Sequence, residues 1–231
     1  MSDLLNQPEY INLKSSLFVD TVNLLIKKHS LIEIIETGAF NGLGSTKVFA
    51  ETGLNVISLE SCKSHYQVAS NNLKNYSNVK VLHASSLPIN EMRKFIEEDS
   101  VYKSELVFTK KINVDGGENA KSFYLQEICG FDDGLPPEEN KLWDLINNHT
   151  RQLIFLDSAG GVGYLEFLQF MKLDPEKLKT KVLLMDDIFH VKHYRSIVKL
   201  KNDYFYPVIS SDRRFAYCEF IPLDDNTNHI L

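Results

Sequence analysis

Residues 32–46, IEIIETGAFNGLGST, run an apolar, β-branched stretch into a carboxylate, Glu36, then into Gly38, Gly42 and Gly44, and end in hydroxyls that begin at Ser45. Bare backbone at a strand-to-helix turn lets a ligand approach main-chain amides, and the helix N-terminus favours its anionic groups. The spacing is G-x-x-x-G-x-G, so a GxGxxG dinucleotide fingerprint is absent, and a tight turn alone would also use these glycines. Glu60, beside Ser61, closes the next apolar stretch, where a carboxylate can accept both hydroxyls of a ribose or simply cap a helix. A third stretch runs through HASSL to Ser85 and Ser86. Three successive strand ends thus carry polar chemistry at the edge where open α/β sheets bind ligands. Further along, Asp157 ends QLIFLD, Asp186 and Asp187 end KVLLMDD, and His190 and His193 follow in IFHVKHY. Imidazole titrates near neutrality and can take a hydroxyl proton, although plain packing is the commoner role of a histidine.

The elements that must position these residues alternate. Strand-like IEIIE, NVISLE, VKVLH, QLIFLD and KVLLMDD are separated by helix-like LGSTKVFAET, KSHYQVASNNLKNY, INEMRKFIEED and YLEFLQFMKL, the pattern of βαβ units and a parallel sheet. DYFYPVI and FAYCEFI leave no room for a crossover helix and must form an antiparallel hairpin. The expected fold is therefore α/β and Rossmann-like: a seven-stranded, mostly parallel sheet closed by a C-terminal hairpin, in one domain over residues 1–231. Residues 8–29 read as an amphipathic helix within an N-terminal helical segment, 1–30. Residues 99–149 interrupt the alternation, and a loop of that length is expected to be a substrate lid, with Phe123, Tyr124, Phe131, Leu135 and Trp143 available to line an apolar pocket.

With 231 residues, 43% hydrophobic and 24% charged, the chain can enclose a sizeable core. No apolar run reaches the roughly 18 residues of a membrane span, and no leader pattern is visible, so no membrane is expected and cytoplasm is the expected compartment. Cys62, Cys129 and Cys218 are far apart and odd in number, which points to small buried side chains, not a disulfide framework or zinc site. A net charge of −6 without a basic stretch argues against nucleic acid as partner. A homo-oligomer is left open.

ETGAFNGLGS resembles the E-x-G-x-[FY]-x-G-x-S turn of the catechol and caffeoyl-CoA O-methyltransferases, with one extra residue before Ser45. HASSL is similar to their G-A-S segment, LIFLD to their fourth strand ending in Asp, and LLMDDI to their fifth ending in Asp-Asn or Asp-Asp, in the same order over residues 32–189. The resemblance implies the class I methyltransferase fold and S-adenosylmethionine as cofactor. Glu36 and Gly38 would lie beside the methionine moiety, with Gly42, Gly44 and Ser45 bordering its carboxylate. Glu60 and Ser61 would hold the ribose end, Ser85 the adenine. Asp157, Asp186 and Asp187 match the positions that bind a divalent cation in the metal-dependent members; adjacent strands would bring their carboxylates within reach of one ion, and three oxygen donors suit Mg²⁺. The family's lysine three residues after the fourth-strand Asp is replaced by Gly160, so Asp157 with His190 or His193 would carry the acid–base chemistry. The expected activity is O-methylation of a small-molecule acceptor such as a sugar or secondary metabolite. A cofactor-binding module without turnover, or a metal-dependent hydroxylase or hydrolase on the same fold, are the competing readings.

Overall fold

The computed structural model describes residues 15–128, 134, 136–158 and 161–222. In chain order the elements are α1 (Ser16–His29), β1 (Glu33–Thr37), α2 (Ser45–Glu51), β2 (Asn55–Glu60), α3 (Lys63–Leu73), β3 (Val79–His83) and α4 (Ile89–Glu98). Three short helices follow, α5 (Glu105–Phe108), α6 (Ala120–Ile128) and α7 (Lys141–Ile146). The chain ends with β4 (Gln152–Leu156), α8 (Gly163–Phe170), α9 (Pro175–Leu178), β5 (Lys181–Met185), α10 (Tyr194–Asn202), β6 (Val208–Ile209) and β7 (Ala216–Glu219).

The seven strands form one sheet in the order β3-β2-β1-β4-β5-β7-β6. Strands β1 to β5 pair in parallel, and β7 runs antiparallel to both β5 and β6. The chain winds outward from β1 through β3, then returns to β4 on the other flank of β1. That reversal opens a crevice at the carboxyl ends, where doubly wound sheets bind ligands. Register keeps those ends level: Thr37 pairs with Leu59 and Leu156, and Leu156 with Met185. The hairpin is shorter than the sequence suggests, with β6 reduced to two residues. Pro207 has no N–H to donate to a ladder, and Phe205 leaves the sheet to pack edge-on against Phe220 at 4.9 Å.

Alternation along the central strands sends side chains to opposite faces, and helices cover both. On one face Phe18 of α1 packs against Phe49, Phe155 and Phe215, with ring centroids 5.9, 5.7 and 5.4 Å away. Ser15 caps this helix by accepting the Phe18 N–H; residues 8–14, where the helix was expected to begin, lie outside the described residues. On the other face Ile35, Ile154 and Met185 pack with Phe167 and Phe170 of α8.

The interruption at residues 99–149 is built into the body of the protein. Leu142 and Ile146 of α7 join the main core. Ala120, Tyr124 and Ile128 of α6 form a smaller core with Ile89, Met92 and Ile96 of α4 and with Val162 and Val191. Phe123 and Trp143 are half-buried in these two cores; Phe131 and Leu135 lie outside the described residues. Phe123, Tyr124 and Trp143 pack into these cores, and none of the three borders the cavity in the crevice. Among the described residues, no helix is long and apolar enough to cross a membrane.

Candidate active site

A cavity of about 350 Å³ occupies the crevice, bordered by Gly38, Glu60, Ser61, Ser85, Asp157 and Lys192. Five parallel strands deliver residues to it, which is why side chains 150 positions apart in sequence meet. Glu60 is buried at the end of β2. Its Oε2 accepts the Phe40 N–H at 2.7 Å and its Oε1 the Cys62 N–H at 2.8 Å. Burial pushes this carboxyl upward, against the pull of those amides. Each oxygen has two lone pairs, so each can still accept one ligand hydroxyl. Phe40 reaches its position through a left-handed backbone, φ 51°. Ser85 is held at β3 by its N–H to the Glu138 carbonyl, 2.9 Å, and by its hydroxyl to the Leu87 carbonyl, 2.7 Å. Cys62 and Cys218 are buried, and Cys62 also borders the cavity; Cys129 lies outside the described residues.

Four residues of the glycine turn do not border the cavity: Glu36, Gly42, Gly44 and Ser45. Glu36 is fully buried, accepting hydroxyls from Ser45 and, at 2.6 Å, from Ser58, and burial pushes its carboxyl up. It fastens the start of α2 to β2. A Cβ on Gly42 would lie 2.7 Å from Leu73, so that glycine admits α3, and Gly44 precedes α2 as its N-cap. Spacing alone does not distinguish a glycine that admits a helix from one that admits a ligand.

Glu166 is wholly buried on α8. Ser158 donates to its Oε1 at 2.6 Å and Thr37 to its Oε2 at 3.1 Å, while Thr37 Oγ1 also accepts the Asp157 N–H at 3.1 Å. The chain Glu166–Thr37–Asp157 thereby fixes the mouth of β4. Burial raises the Glu166 carboxyl from the ordinary 4.5 to about 7. A raised folded-state value means stability that is fully present at low pH and lost as pH rises through about 7. Over that window the loss is on the order of 3 kcal/mol. Glu166→Gln is expected to flatten the decline, so urea unfolding at pH 5 and pH 8 should differ less in the variant; an unchanged difference would remove Glu166 as its source.

Oxygens of Asp157, Asp186 and Asp187 lie within 4.8 Å of one another, the convergence expected of adjacent strand ends. Two cations that the sequence reading did not include stand among them. Lys192 Nζ is 2.6 Å from Asp157 Oδ1 and 3.2 Å from Asp187 Oδ2. Arg214 grips Asp186 through two bonds of 3.0 Å. Burial opposes charge on Lys192, but the three aspartates outweigh it and hold its value above normal. Asp187 is also opposed by burial, yet Lys192 and Arg214 hold it below normal. A divalent cation does not fit these residues as they stand, because the oxygens it needs already face an ammonium and a guanidinium.

The expected bases sit elsewhere. His193 is buried, with Nε2 2.9 Å from the Leu156 carbonyl, and burial drives its value down to about 3. His190 Nε2 lies 3.2 Å from both Asp115 Oδ2 and the Tyr124 hydroxyl, on a second, adjoining cavity. Neither borders the main cavity. The reason is the tight turn after β5, in which the His190 N–H reaches the Asp187 carbonyl at 2.8 Å and the His193 N–H the His190 carbonyl at 3.1 Å. That turn aims Lys192 at the cavity and its flanking histidines away from it. Glu127, at the end of α6, does border the cavity. Its Oε2 is buried without a hydrogen-bond partner among the described residues, and burial raises the carboxyl to about 8. Gly160 lies outside the described residues.

No protein-family model matches the chain, and no curated protein matches it significantly. Solved structures do. The O-methyltransferase TomG of Streptomyces achromogenes, involved in tomaymycin synthesis and in complex with SAM, aligns over 95% of this chain and 86% of its own at TM-score 0.50 and 10% identity. An O-methyltransferase of Bacillus cereus in complex with SAH aligns over 94% and 86% at TM-score 0.49 and 14% identity. At such identities the likeness shows the fold, a Rossmann-like class I methyltransferase fold.

Proposed function

We propose that this chain is an S-adenosylmethionine-dependent methyltransferase acting on a hydroxyl of a small, polar acceptor. One observation carries the reading: the crevice at the switch point holds a cavity that Glu60 and Ser85 border together with Asp157, Lys192 and Glu127. Glu60 and Ser85 suit a ribose and a purine, while Asp157, Lys192 and Glu127 suit a hydroxylated acceptor such as a sugar better than a flat apolar ring. The volume falls within the range of roughly 300–1,000 Å³ common to small-molecule sites. In the reaction the acceptor oxygen's lone pair forms a bond to the methyl carbon. The carbon–sulfur bond breaks with its electron pair going to sulfur, and the hydroxyl proton passes to a base. Glu127 fits that last part, since its value lies near the pH at which it would work and its Oε2 has no hydrogen-bond partner among the described residues.

Calorimetric titration with S-adenosylmethionine and S-adenosylhomocysteine, followed by assay of S-adenosylhomocysteine release with a panel of hydroxylated acceptors, tests the reading. No heat with either ligand would end it; binding without release on any acceptor would favour a cofactor-binding module. Once an acceptor is in hand, Glu127→Gln is expected to lower kcat by about 10²–10⁴-fold with cofactor affinity unchanged. Because the base acts when ionised, the wild-type rate should climb as pH rises through about 8. An unaltered kcat would assign the proton to another group.

A further inference from the structure

We infer that Lys192 is the chain's own substitute for a divalent cation: it closes the Asp157/Asp186/Asp187 cluster to metal and gives its remaining N–H to the acceptor oxygen. The second half rests on the proposed methyl transfer; the first does not. Three carboxylates converge here, a donor set that by residue type alone would suit Mg²⁺. The surrounding charges decide otherwise. With Lys192 and Arg214 in place the cluster carries one surplus negative charge when fully ionised, and a divalent ion would turn that into a surplus positive one. Each oxygen of Asp186 already takes an N–H from the Arg214 fork, which sets a guanidinium charge beside any lone pair left for a metal. The ion would also have to displace or face an ammonium lying 2.6 Å from Asp157 Oδ1 and 3.2 Å from Asp187 Oδ2.

Lysine has three N–H donors. Two go to Asp157 and Asp187, and the third has no protein acceptor among the described residues. The side chain is almost wholly buried but borders the cavity. A fixed positive charge at that place does two things a metal does in related chemistry: it orients the acceptor oxygen and stabilises negative charge as the proton leaves. It differs in being permanently supplied by the chain. The left-handed backbone of Asp187, φ 50°, belongs to the same arrangement, because that residue begins the turn that delivers Lys192.

The test is titration of the full-length, chelator-treated protein with Mn²⁺, followed by electron paramagnetic resonance of the free ion. Wild type is expected to bind no stoichiometric Mn²⁺ at sub-millimolar concentration, and one tightly bound ion would overturn the inference. Lys192→Met should gain Mn²⁺ affinity by at least about a hundredfold, since a unit charge a few ångströms away acts strongly at the reduced dielectric of a partly buried site. Lys192→Arg, which keeps the charge, should not gain it. If the methionine variant does not fold, the wild-type and arginine titrations decide the matter alone. Turnover of chelator-treated wild type should equal that of untreated enzyme, whereas loss restored by Mg²⁺ would refute a metal-free site. Lys192→Met should also lower kcat or raise the acceptor KM; unchanged values for both would refute the contact with the acceptor. Cofactor calorimetry on the same samples separates the two levels. Wild type without cofactor binding strikes the proposed function, while Mn²⁺ uptake strikes only the closed cluster.

Discussion

Gly38→Ala is expected to cost roughly 3 kcal/mol of stability and at least about tenfold in cofactor affinity, combining left-handed strain with a backbone collision. Gly38 has φ 83°, and a Cβ there would sit 2.5 Å from the Asp157 carbonyl oxygen, 3.1 Å from its carbon and 3.3 Å from the Ser158 Cα. All three are backbone atoms, so no side chain can swing aside. Relief requires the ends of β1 and β4 to part, and they carry both walls of the crevice. The Gly38 N–H bond to the Leu59 carbonyl, 2.9 Å, would be pulled with them, disturbing Glu60 one residue further on. Gly53→Ala is the control: φ is 78° there but nothing lies within 4 Å of the added carbon. It should show the strain of about 1–2 kcal/mol without loss of binding. Thermal unfolding and calorimetry on both variants check this, and equal effects at the two glycines would show that the contact with Asp157 does not matter.

Arg214→Ala is expected to destabilise the protein by about 2–4 kcal/mol, because it leaves the Asp186 carboxylate buried without its partner. Asp186 is 1% exposed and both its oxygens are held by Arg214 at 3.0 Å. The guanidinium is partly open to solvent, which puts the expected loss below that of a fully interior pair. The cost belongs to the orphaned charge more than to the lost bond. Adding Asp186→Asn to the Arg214→Ala background should therefore recover most of the stability. Urea unfolding at neutral pH compares the wild type, the single variant and the double variant. A double variant as unstable as the single one would assign the loss to Arg214's packing.

Strand position was legible in the sequence because the cues are local. NVISLE and VKVLH coincide with β2 and β3 residue for residue, and the absence of room for a helix before FAYCEFI required an antiparallel ending. Right-handed, doubly wound connection of such strands then brings their carboxyl ends together, so the gathering of Gly38, Glu60, Ser61, Ser85 and Asp157 at one cavity was also implicit in their order along the chain. What each charged or imidazole group does there was not. Glu36 and Glu166 look alike with Glu60 in a sequence, yet two are wholly enclosed by hydroxyls and one borders the cavity, a difference set by Ser45, Ser58, Thr37 and Ser158 from other elements. Lys192 lies between two histidines in HVKHY, and only the turn after β5 decides which of the three faces the aspartates. Arg214 reaches the cluster from the hairpin turn just before β7, 28 residues beyond Asp186. Periodicity fixes where a strand ends; the balance of buried charge at that end depends on residues brought from several elements at once, and only their packing in three dimensions determines it.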